Sequence, residues 1–451
     1  MKKILITISG GFIARNIARS GVLDRIVSSG AQVILAVPQE KQEYYAQEFG
    51  SEKIEVMPSP HVNATIGERI FSFVGRNALR TESVRMIQKS EYELHGRFIL
   101  YCIKRVLYYA FGRSSLFQKI FRFLDASLSQ SGFNEMLRHV RPDLIFATNV
   151  VEGMDIAFLR EARRMSIKTI GMVKSWDNLT NHGMLREFPD TLIVHNPYIK
   201  RCAEYFHHVP EKIIVMTGIP QYDWYVRKDI FTPREEFLKK IGVDPLHKVI
   251  LFAGIGDYLA PREGEVVKIM SEMIEKGEVP YPVTIVFRPH PNFMVVREKI
   301  AKLPHVVFDD ASARYTSEKK SSWEMGKEEM THLVNSLRHA DLVVNVASTM
   351  TIDAVAFGKP VICIGFDGES EEPYHNSVLR FYRDFTHYKM ITRTHGFKLA
   401  YTRDELLSYT LKYLKNPEID SEGRKKIFED FIWKLDGRSG ERLAKVITDR
   451  L

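Results

Sequence analysis

Short apolar runs alternate with amphipathic segments along most of the chain. Each run has the length of a buried parallel strand and is too short for a helix. In the first half the pattern predicts strands at residues 3–8, 32–37, 53–57, 143–148, 167–173, 190–195 and 212–217. In the second half it predicts strands at residues 248–254, 283–288, 305–309, 342–346 and 361–365, with a short one near Met390. Strands that alternate with helices are typical of doubly wound parallel sheets, and the two successions predict two Rossmann-like domains.

Breaks in this alternation predict the domain boundaries. An N-terminal domain over residues 1–225 is followed by an aromatic and charged linker, 226–247. A C-terminal domain then spans residues 248–425, and a final helical segment spans 426–451. Residues 64–130 lack the strand pattern, which predicts a helical insertion in the first domain.

Composition and the absence of targeting signals predict a cytoplasmic protein. A chain of 451 residues with 45% hydrophobic residues suits two or three globular domains. No apolar run approaches the roughly 18 residues of a membrane-spanning helix. The short apolar run after Met1 leads directly into a glycine turn, which predicts a first strand rather than a signal peptide. Three scattered cysteines predict reduced thiols and argue against a disulfide or zinc framework.

The chain carries an excess of positive charge, with a net charge of +8 that favours anionic partners. No nucleic-acid-binding module is recognisable, so nucleic acid is not an expected partner. Residues 97–124 combine bulky aromatic residues with cations and contain no acidic residue; the cations are Arg97, Lys104, Arg105, Arg113, Lys119 and Arg122. Such a surface predicts peripheral contact with the anionic inner face of a plasma membrane. The alternative is a helical pair whose aromatic residues pack on the sheet and whose cations are solvated.

The sequence VTIVFRPHPN at residues 283–292 is an apolar strand that ends in Arg-Pro-His-Pro. The two prolines hold the backbone extended on either side of His290. Arg288 and His290 therefore leave the carboxyl end of the strand as fixed cationic or hydrogen-bonding groups. An isolated histidine is more often structural, but this arrangement predicts contact with an anionic ligand.

A second motif, ADLVVNVASTMTIDAVAFGKPVICIGF at residues 340–366, predicts a strand, a polar turn, a helix and another strand. The hydroxyl residues Ser348, Thr349 and Thr351 lie where the helix must begin. A helix start presents unpaired backbone N–H groups, and hydroxyls there add donors, so the turn predicts a phosphate site. The alternative is ordinary helix capping without a ligand.

These two motifs resemble the C-terminal domain of bacterial nucleotide-sugar enzymes of the GT-B type. The chain is most similar to CDP-glycerol glycerophosphotransferases and capsule polymer transferases, and more distantly to non-hydrolysing UDP-N-acetylglucosamine 2-epimerases. The resemblance implies an α/β fold with two Rossmann-like doubly wound domains that face a cleft, and a last helix that packs back on the first domain. It implies that His290, Ser348 and Thr349 hold the diphosphate of the donor.

The resemblance further implies that the nucleotide-activated sugar is a co-substrate and that no separate cofactor or bound metal is needed. The acidic pair Asp309-Asp310 is accordingly interpreted as a cap or a turn. The turn Gly254-Ile-Gly256 follows the first strand of the second domain and predicts a close backbone approach to donor phosphate. Glu369 lies in an acidic loop that either binds ribose or sugar hydroxyls or is simply solvated.

The acceptor is expected on the first domain. The resemblance implies that the glycine-rich turn after the first strand, with Gly10 and Gly11, faces the acceptor. Lys174 follows the carboxyl end of a later strand, where doubly wound sheets bind ligands, and is also predicted to contact the acceptor. Transfer needs a general base beside the acceptor hydroxyl. The loop after Lys174 supplies Asp177 and His182, with Glu152 as a third candidate, and His290 assists the leaving group. The alternative is that Asp177 forms an Asx turn and Trp176 packs the domain.

Together with the motifs, the resemblance implies a transferase in bacterial cell-surface polysaccharide biosynthesis. It would move a sugar or a polyol phosphate from a nucleotide-activated donor to a glycan or a lipid-linked acceptor. Two alternatives remain open: an isomerase similar to nucleotide-sugar 2-epimerases, and a non-catalytic scaffold that binds a nucleotide sugar.

Overall fold

Most of the apolar runs form strands that are buried on both faces, as expected for parallel sheets covered by helices, whereas strands at the sheet edges are half-buried. The computed structural model describes residues 1–60, 64–128, 132–293, 295, 297–310, 314–315 and 323–451. Contacts divide the chain into two units. The first comprises Met1–Asp223 and Trp433–Leu451, and the second comprises Trp224–Ile432.

The first unit contains a seven-stranded parallel sheet. Its strands are β1 (Lys3–Thr7), β2 (Gln32–Val37), β3 (Ile54–Pro58), β4 (Leu144–Ala147), β5 (Lys168–Met172), β6 (Thr191–Val194) and β7 (Ile214–Met216). Their order in the sheet is β3-β2-β1-β4-β5-β6-β7. The direction of winding reverses between β1 and β4, so the crevice for a ligand lies beyond the carboxyl ends of these two strands.

Helices of the first unit cover both faces of this sheet or form the insertion between β3 and β4. They are α1 (Gly11–Ile13), α2 (Val22–Ser28), α3 (Gln42–Phe49), α4 (Ile66–Asn77), α5 (Glu82–His95), α6 (Phe98–Val106), α7 (Ser115–Leu128), α8 (Asn134–Val140), α9 (Gly153–Arg164), α10 (Asn178–Asn181) and α11 (Pro197–His207). Ala14–Ala18 and Leu107–Phe111 form π-helical turns. Gln39–Lys41, Glu211–Ile213 and Pro220–Val226 form 3₁₀ turns. The helical spacing after β1 is interrupted at Gly21, whose φ of 76° lies in the left-handed region.

The predicted helical insertion is present as α4 to α7. These helices enclose a small apolar core of their own, which includes Leu79, Val84, Tyr108 and Phe121. A buried ion network ties them to the rest of the unit. Asp125 on α7 accepts hydrogen bonds from Arg186 at 2.8 and 2.9 Å and also pairs with Arg160 on α9.

The second unit contains a six-stranded parallel sheet and a short antiparallel pair. Its strands are β8 (Lys248–Ala253), β9 (Val283–Arg288), β10 (Val306–Phe308), β11 (Arg314–Tyr315), β12 (Trp323–Glu324), β13 (Leu342–Asn345), β14 (Val361–Ile364) and β15 (Lys398–Ala400). The order in the larger sheet is β10-β9-β8-β13-β14-β15, while β11 pairs with β12. Here the winding reverses between β8 and β13.

The helices of the second unit are α12 (Arg234–Lys240), α13 (Glu263–Glu275), α14 (Arg297–Ile300), α15 (Lys327–His339), α16 (Met350–Ala356), α17 (Leu379–Asp384), α18 (Thr386–Thr392), α19 (Arg403–Lys415) and α20 (Ser421–Ile427). Lys228–Ile230 forms a 3₁₀ turn, and Phe428–Ile432 forms a π-helical turn. The strand expected near Met390 is wrong, because this residue lies in α18. His387, Tyr388 and Ile391 are buried there at helical spacing, and the last strand of the sheet is β15.

The chain ends in α21 (Ser439–Thr448), which belongs to the first unit. The carboxylate of Asp223 accepts hydrogen bonds from the N–H groups of Ser439 at 2.9 Å and Gly440 at 2.8 Å. Leu443 and Ile447 are buried in the core beside β1 and β2. Within the described ranges, no helix has the length and apolar character needed to cross a membrane.

Candidate active site

The second sheet brings most of the predicted donor residues to one edge. Gly254 and Gly256 follow β8, His290 follows β9, and Ser348 and Thr349 follow β13. All these strands are parallel, and β9 and β13 flank β8 on either side. Neighbouring strands lie about 4.8 Å apart, so roughly 10 Å separates the ends of β9 and β13. This edge contains the reversal of winding and is where a doubly wound sheet binds its ligand.

His290 is held as a neutral hydrogen-bond donor. Its Nδ1 accepts hydrogen bonds from the N–H groups of Asn292 at 3.0 Å and Phe293 at 3.3 Å, so the ring proton resides on Nε2. Burial lowers the pKa of the imidazole to about 4, and the ring packs on Phe293 with centroids 4.8 Å apart. Within the described part of the chain, Nε2 has no hydrogen-bond acceptor. The sequence left open a cationic or a hydrogen-bonding His290, and this geometry favours the second, because the group offers a fixed N–H rather than a charge.

Arg288 does not present a free cation at this edge. Its side chain is 7% exposed, and its Nη1 lies 2.9 Å from Oδ2 of Asp309, which follows β10. The other carboxylate oxygen of Asp309 lies 2.8 Å from Nε2 of His332. The expectation that Arg288 neutralises donor charge is therefore corrected: its charge is compensated internally, and the pair braces the ends of β9 and β10.

The amides of the glycine turn are also engaged. The N–H of Gly254 donates to the carbonyl of Arg288 at 3.0 Å. The N–H groups of Ile255 and Gly256 donate to the carboxylate of Glu263 at 2.8 and 2.7 Å. Burial raises the pKa of Glu263 to about 7. The predicted approach of donor phosphate to these amides conflicts with the geometry, because a carboxylate of the chain itself already occupies them.

Gly254 is required for a different reason. A Cβ atom at this position would lie 2.8 Å from the ring of Phe287 and 3.1 Å from Oε1 of Glu263. The glycine therefore allows the turn to close over its own helix. The sequence analysis missed Glu263; a glutamate that follows a Gly-x-Gly turn at the start of a helix is the signal that could have identified it.

The turn after β13 is braced from inside and open toward its tip. The N–H of Ala347, whose φ is 39°, donates to the hydroxyl of Tyr382 at 2.8 Å. The N–H of Ser348 donates to Oδ1 of Asn345 at 3.1 Å, and the Ser348 hydroxyl accepts from the N–H of Met350 at 3.3 Å. Positive φ in a non-glycine residue is strained and is common where a ligand is held.

Available donors in this turn are concentrated at its tip. Thr349 is exposed, and within the described residues its N–H and its hydroxyl have no protein partner. The hydroxyl of Ser348 accepts one hydrogen bond and keeps its own proton for an acceptor. These groups, together with Nε2 of His290, are neutral donors at one edge of the sheet.

Thr351 does not reach this edge. It is fully buried, and its hydroxyl lies 3.1 Å from Nδ2 of Asn345 and 3.3 Å from the hydroxyl of Tyr388. The expectation that Thr351 contacts the donor is corrected, because its side chain supports the turn from beneath.

Glu369 lies on the surface. Its carboxylate pairs with Lys268 on α13 at 2.9 Å and is 57% exposed, and its N–H donates to Glu265. The neighbouring Glu372 pairs with Arg262. A solvated acidic loop, the second of the two interpretations, describes this segment, and contact between Glu369 and the donor is not supported.

The first unit contains a large cavity beside the carboxyl edge of its sheet. The cavity has a volume of about 1470 Å³ and lies between that edge and the helical insertion. Its lining includes Ser9, Glu152 and Gly153 from the sheet side, Arg69 and Arg76 from α4, and His182. Gly10 and Gly11 directly follow Ser9, and α1 begins at Gly11. Lys174 is half-buried, with its Nζ 5.7 Å from the centroid of the Phe12 ring.

The three candidate bases are placed differently. Glu152 and His182 are exposed side chains that line the same cavity. Asp177 precedes α10, and its Oδ2 accepts from Nδ2 of Asn181 at 3.3 Å while its carbonyl accepts from the N–H of Thr180. Asp177 thus organises the loop, and Trp176 is buried near Tyr198, as the structural alternative described.

A buried carboxyl at the reversal point of the first sheet was missed. Oδ1 of Asp155 accepts from the hydroxyl of Thr7 at 2.6 Å and from the N–H of Asn149 at 3.0 Å. Burial raises its pKa to about 7, and its Oδ2 has no hydrogen-bond partner among the described residues. No pattern in the sequence marks this aspartate, since it lies in the first turn of an ordinary amphipathic helix.

The described residues contain no group of three His, Cys, Asp or Glu side chains placed to hold a metal ion. Metal-free transfer stays a prediction. The interpretation of Asp309 as a cap is replaced by its pairing with Arg288, and Asp310 pairs with Arg297.

Solved structures share this fold at low sequence identity. A putative UDP-N-acetylglucosamine 2-epimerase from Listeria monocytogenes has a TM-score of 0.55 and 14% identity, over 100% of this chain and 96% of that one. UDP-N-acetylglucosamine 2-epimerase from Neisseria meningitidis bound to UDP-GlcNAc has a TM-score of 0.54 and 11% identity, over 99% and 100% of the two chains. A glycosyltransferase from Rickettsia africae has a TM-score of 0.51 and 11% identity, over 99% and 98%. The predicted GT-B fold class is confirmed, and at these identities the likeness concerns the fold alone.

The chain also matches a protein family at the level of sequence. No curated protein matches the chain significantly. Residues 162–449, more than half of the chain, match the model of the family described as CDP-glycerol:poly(glycerophosphate) glycerophosphotransferase. The matched region contains both the Arg-Pro-His-Pro motif and the hydroxyl-rich turn after β13. The chain belongs to this family of transferases.

Proposed function

We propose that this protein transfers a polyol phosphate or a sugar from a nucleotide-activated donor to a glycan or lipid-linked acceptor of a bacterial surface polymer. The observation that carries the proposal is the set of neutral donors at the reversal point of the second sheet. Nε2–H of His290 and the Ser348–Thr349 turn lie at the same edge, and each is held by hydrogen bonds from behind.

These donors suit the leaving group of the reaction. When a polyol phosphate is transferred, a nucleoside monophosphate leaves; when a sugar is transferred, a nucleoside diphosphate leaves. In both cases negative charge develops on a phosphate oxygen as the bond to the transferred group breaks. Fixed hydrogen-bond donors stabilise such charge without reorganisation, and this is usually the largest catalytic contribution in such a transfer. The N. meningitidis relative, whose structure contains UDP-GlcNAc, supports a nucleotide-activated donor for the fold.

The acceptor hydroxyl would lose its proton to a group on the first unit. Of the three predicted bases, Glu152 and His182 are accessible and line one cavity. As the acceptor oxygen forms its new bond, its proton passes to one of these two side chains. We assign Glu152 as the base, because it follows β4 at the reversal point of the first sheet and ends in a solvent-accessible carboxylate.

A transfer assay tests the proposal. The purified protein is incubated with radiolabelled CDP-glycerol, UDP-GlcNAc or other UDP-sugars and a glycerol-phosphate oligomer as acceptor. Label that moves from one donor to the oligomer is the expected result. Conversion of UDP-GlcNAc to its 2-epimer without transfer would instead support the isomerase, and binding of a donor without either reaction would support the scaffold.

The helical insertion supports contact with a membrane. Large apolar side chains on α6 and α7 are solvent-exposed, at 61% for Phe98, 77% for Ile99, 67% for Leu116 and 71% for Phe123. Arg97, Arg113 and Lys119 are exposed beside them. An exposed apolar surface with flanking cations fits the interface of an anionic membrane. We propose peripheral binding there, which would place the enzyme on the inner face of the plasma membrane.

Flotation with phosphatidylglycerol vesicles tests this contact. Arg97, Arg113 and Lys119 are changed to Glu together; Arg122 is left intact because it stacks 4.2 Å from the ring centroid of Phe188. A control changes the exposed Lys53, Arg138 and Lys302 to Glu, with the same change in net charge. Loss of flotation in the first variant alone is expected. Equal flotation of wild type and both variants would refute the membrane contact.

A further inference from the structure

The cavity in the first unit has two walls of different chemistry. On the sheet side it is lined by Ser9 and Glu152, which follow β1 and β4. On the opposite side it is lined by one face of α4, which contributes Glu68, Arg69 and Arg76. The helical insertion thus adds a second wall beside the edge of the Rossmann sheet, and both walls contribute charged side chains to one cavity.

Most charges in this cavity are compensated within the protein. Glu68 pairs with Arg160 at 3.1 Å and with Arg186 at 2.7 Å, and Lys104 pairs with Glu91. Arg160 and Arg186 are buried and also bind Asp125, so these ion pairs are held in place on one side of the cavity.

Arg69 and Arg76 differ from these cations. Both are exposed side chains on the cavity wall, and neither makes an ion pair or a side-chain hydrogen bond within the described residues. They lie seven residues apart on one face of α4, which corresponds to about 10 Å along the helix. The loop before Arg186 holds the backbone of Arg76 in place. Gly183 packs directly against that backbone, and Met184 donates its N–H to the carbonyl of Gly75.

We propose that this cavity is the acceptor site and that Arg69 and Arg76 bind phosphodiester groups of a polyol phosphate chain. Guanidinium groups bind phosphate oxygens through two parallel hydrogen bonds, and two of them on one helix face can hold two phosphates. The carboxylates of Glu40 and Glu152 lie toward the sheet side, so the two walls orient an anionic chain. Its phosphates face α4, and its terminal hydroxyl faces Glu152. The inference rests on the proposed transfer, since it identifies where that reaction takes its acceptor.

Direct binding without a donor tests the site independently of catalysis. A soluble glycerol-phosphate oligomer is titrated into the full-length protein by calorimetry, beside a neutral oligoglycerol of the same length. Arg69 and Arg76 are changed to Glu together in one variant and to Gln in a second. The control variant carries Lys53→Glu and Arg138→Glu, which replace exposed cations outside the cavity and change the net charge as much as the double Glu variant does. Far-UV circular dichroism and the melting temperature report on folding of each variant.

The wild type and the control are expected to bind the phosphate oligomer and to bind the neutral oligomer at least about tenfold more weakly. Both cavity variants are expected to lose at least about tenfold in affinity for the phosphate oligomer, at an unchanged melting temperature. Equal affinity of wild type and cavity variants, or equal binding of neutral and charged oligomers, would overturn the assignment.

Vesicle flotation and the transfer assay distinguish this acceptor site from a lipid-binding site and from failure of the proposed function. If the cavity variants bind the oligomer normally but no longer float with phosphatidylglycerol vesicles, the arginines contact lipid headgroups and the acceptor assignment is wrong. If the protein binds the oligomer through Arg69 and Arg76 but transfers label from none of the donors tested, the proposed function fails and the binding site stands.

Discussion

The Nδ1 atom of His290 accepts a hydrogen bond from the backbone N–H of Asn292 at 3.0 Å. This single contact decides which form of the imidazole faces the donor site. Because Nδ1 is an acceptor, the proton must lie on Nε2, and burial with a pKa of about 4 keeps the ring neutral near pH 7. Donor phosphate would therefore be recognised by an oriented N–H, and the central claim of the account is that this neutral donor stabilises the leaving group.

Ser348 and Thr351 lie three residues apart, but loss of their hydroxyls should affect different properties of the protein: donor affinity for Ser348 and stability for Thr351. Ser348→Ala is expected to weaken donor binding with little effect on stability, because its hydroxyl is at the accessible turn. Thr351→Val removes a buried hydroxyl that bonds Asn345 and Tyr388, and should lower stability by about 1–3 kcal/mol at nearly unchanged donor affinity. Denaturant unfolding and donor titration of both variants measure the two effects. A Thr351→Val protein that is stable but fails to bind donor would restore Thr351 as a contact residue.

Arg288 is expected to act on stability through Asp309. Arg288→Met removes the guanidinium partner of the buried Asp309 carboxylate and leaves it beside His332, which should cost about 3–5 kcal/mol of unfolding free energy. The double variant Arg288→Met with Asp309→Asn removes both charges and should recover part of the loss. Chemical denaturation of the two variants and of Asp309→Asn alone completes a double-mutant cycle. Additive effects with no coupling would show that Arg288 serves the ligand rather than Asp309.

Asp155 should make stability depend on pH. Its folded pKa of about 7 lies above an unfolded value of about 3.9, so the protonated carboxyl contributes stability that is fully present below about pH 4. That contribution falls by up to about 1.4 kcal/mol per pH unit and is absent above about pH 7. Asp155→Asn does not titrate. The difference in melting temperature, wild type minus variant, should therefore decrease between about pH 5 and pH 7 and remain constant at higher pH. A difference that is independent of pH would mean that Asp155 is ionised throughout.

The transfer rates of two variants distinguish Glu152, which lines the cavity, from Asp177, which lies on the loop before α10. Glu152→Gln removes the accessible carboxylate of the cavity and is expected to lower the transfer rate by about 10²–10⁴-fold at unchanged donor affinity. Asp177→Asn keeps an amide oxygen for Asn181 and should reduce the rate only a few-fold. Single-turnover assays at saturating donor compare them. If Asp177→Asn is the slower enzyme, the base is on the loop before α10 and the assignment of Glu152 is wrong.

Much of the fold follows from the periodicity of apolar residues. β2 and β9 begin and end at the predicted residues, and the remaining predicted strands differ by a few residues at their ends, apart from the one near Met390. That segment is apolar and short, so its length alone cannot distinguish a strand from a helical turn. The buried face formed by Tyr388 and Ile391 becomes visible only when the chain packs.

The candidate site was predicted in position and only partly in chemistry. Motifs at the carboxyl ends of parallel strands must meet at one edge, so the convergence of His290 with Ser348 and Thr349 follows from the topology. The state of each group depends on partners that lie outside the motifs themselves. Asp309 neutralises Arg288, and Glu263 occupies the amides of Ile255 and Gly256. No local pattern encodes the pairing of Arg288 with Asp309, whereas the glutamate after the Gly-x-Gly turn could have indicated the role of Glu263. Both contacts decide which residues remain available for a ligand.

Calorimetric titration of CDP-glycerol and UDP-sugars, with wild type, His290→Ala and the exposed-histidine control His139→Ala, tests the central claim most directly. The account predicts that one donor binds wild type and the control equally and binds His290→Ala at least about tenfold more weakly. Because His290 is already neutral, this ratio should be the same at about pH 6 and pH 8. Equal affinity of His290→Ala, or a ratio that disappears as the pH rises to 8, would contradict recognition of the donor by a neutral imidazole.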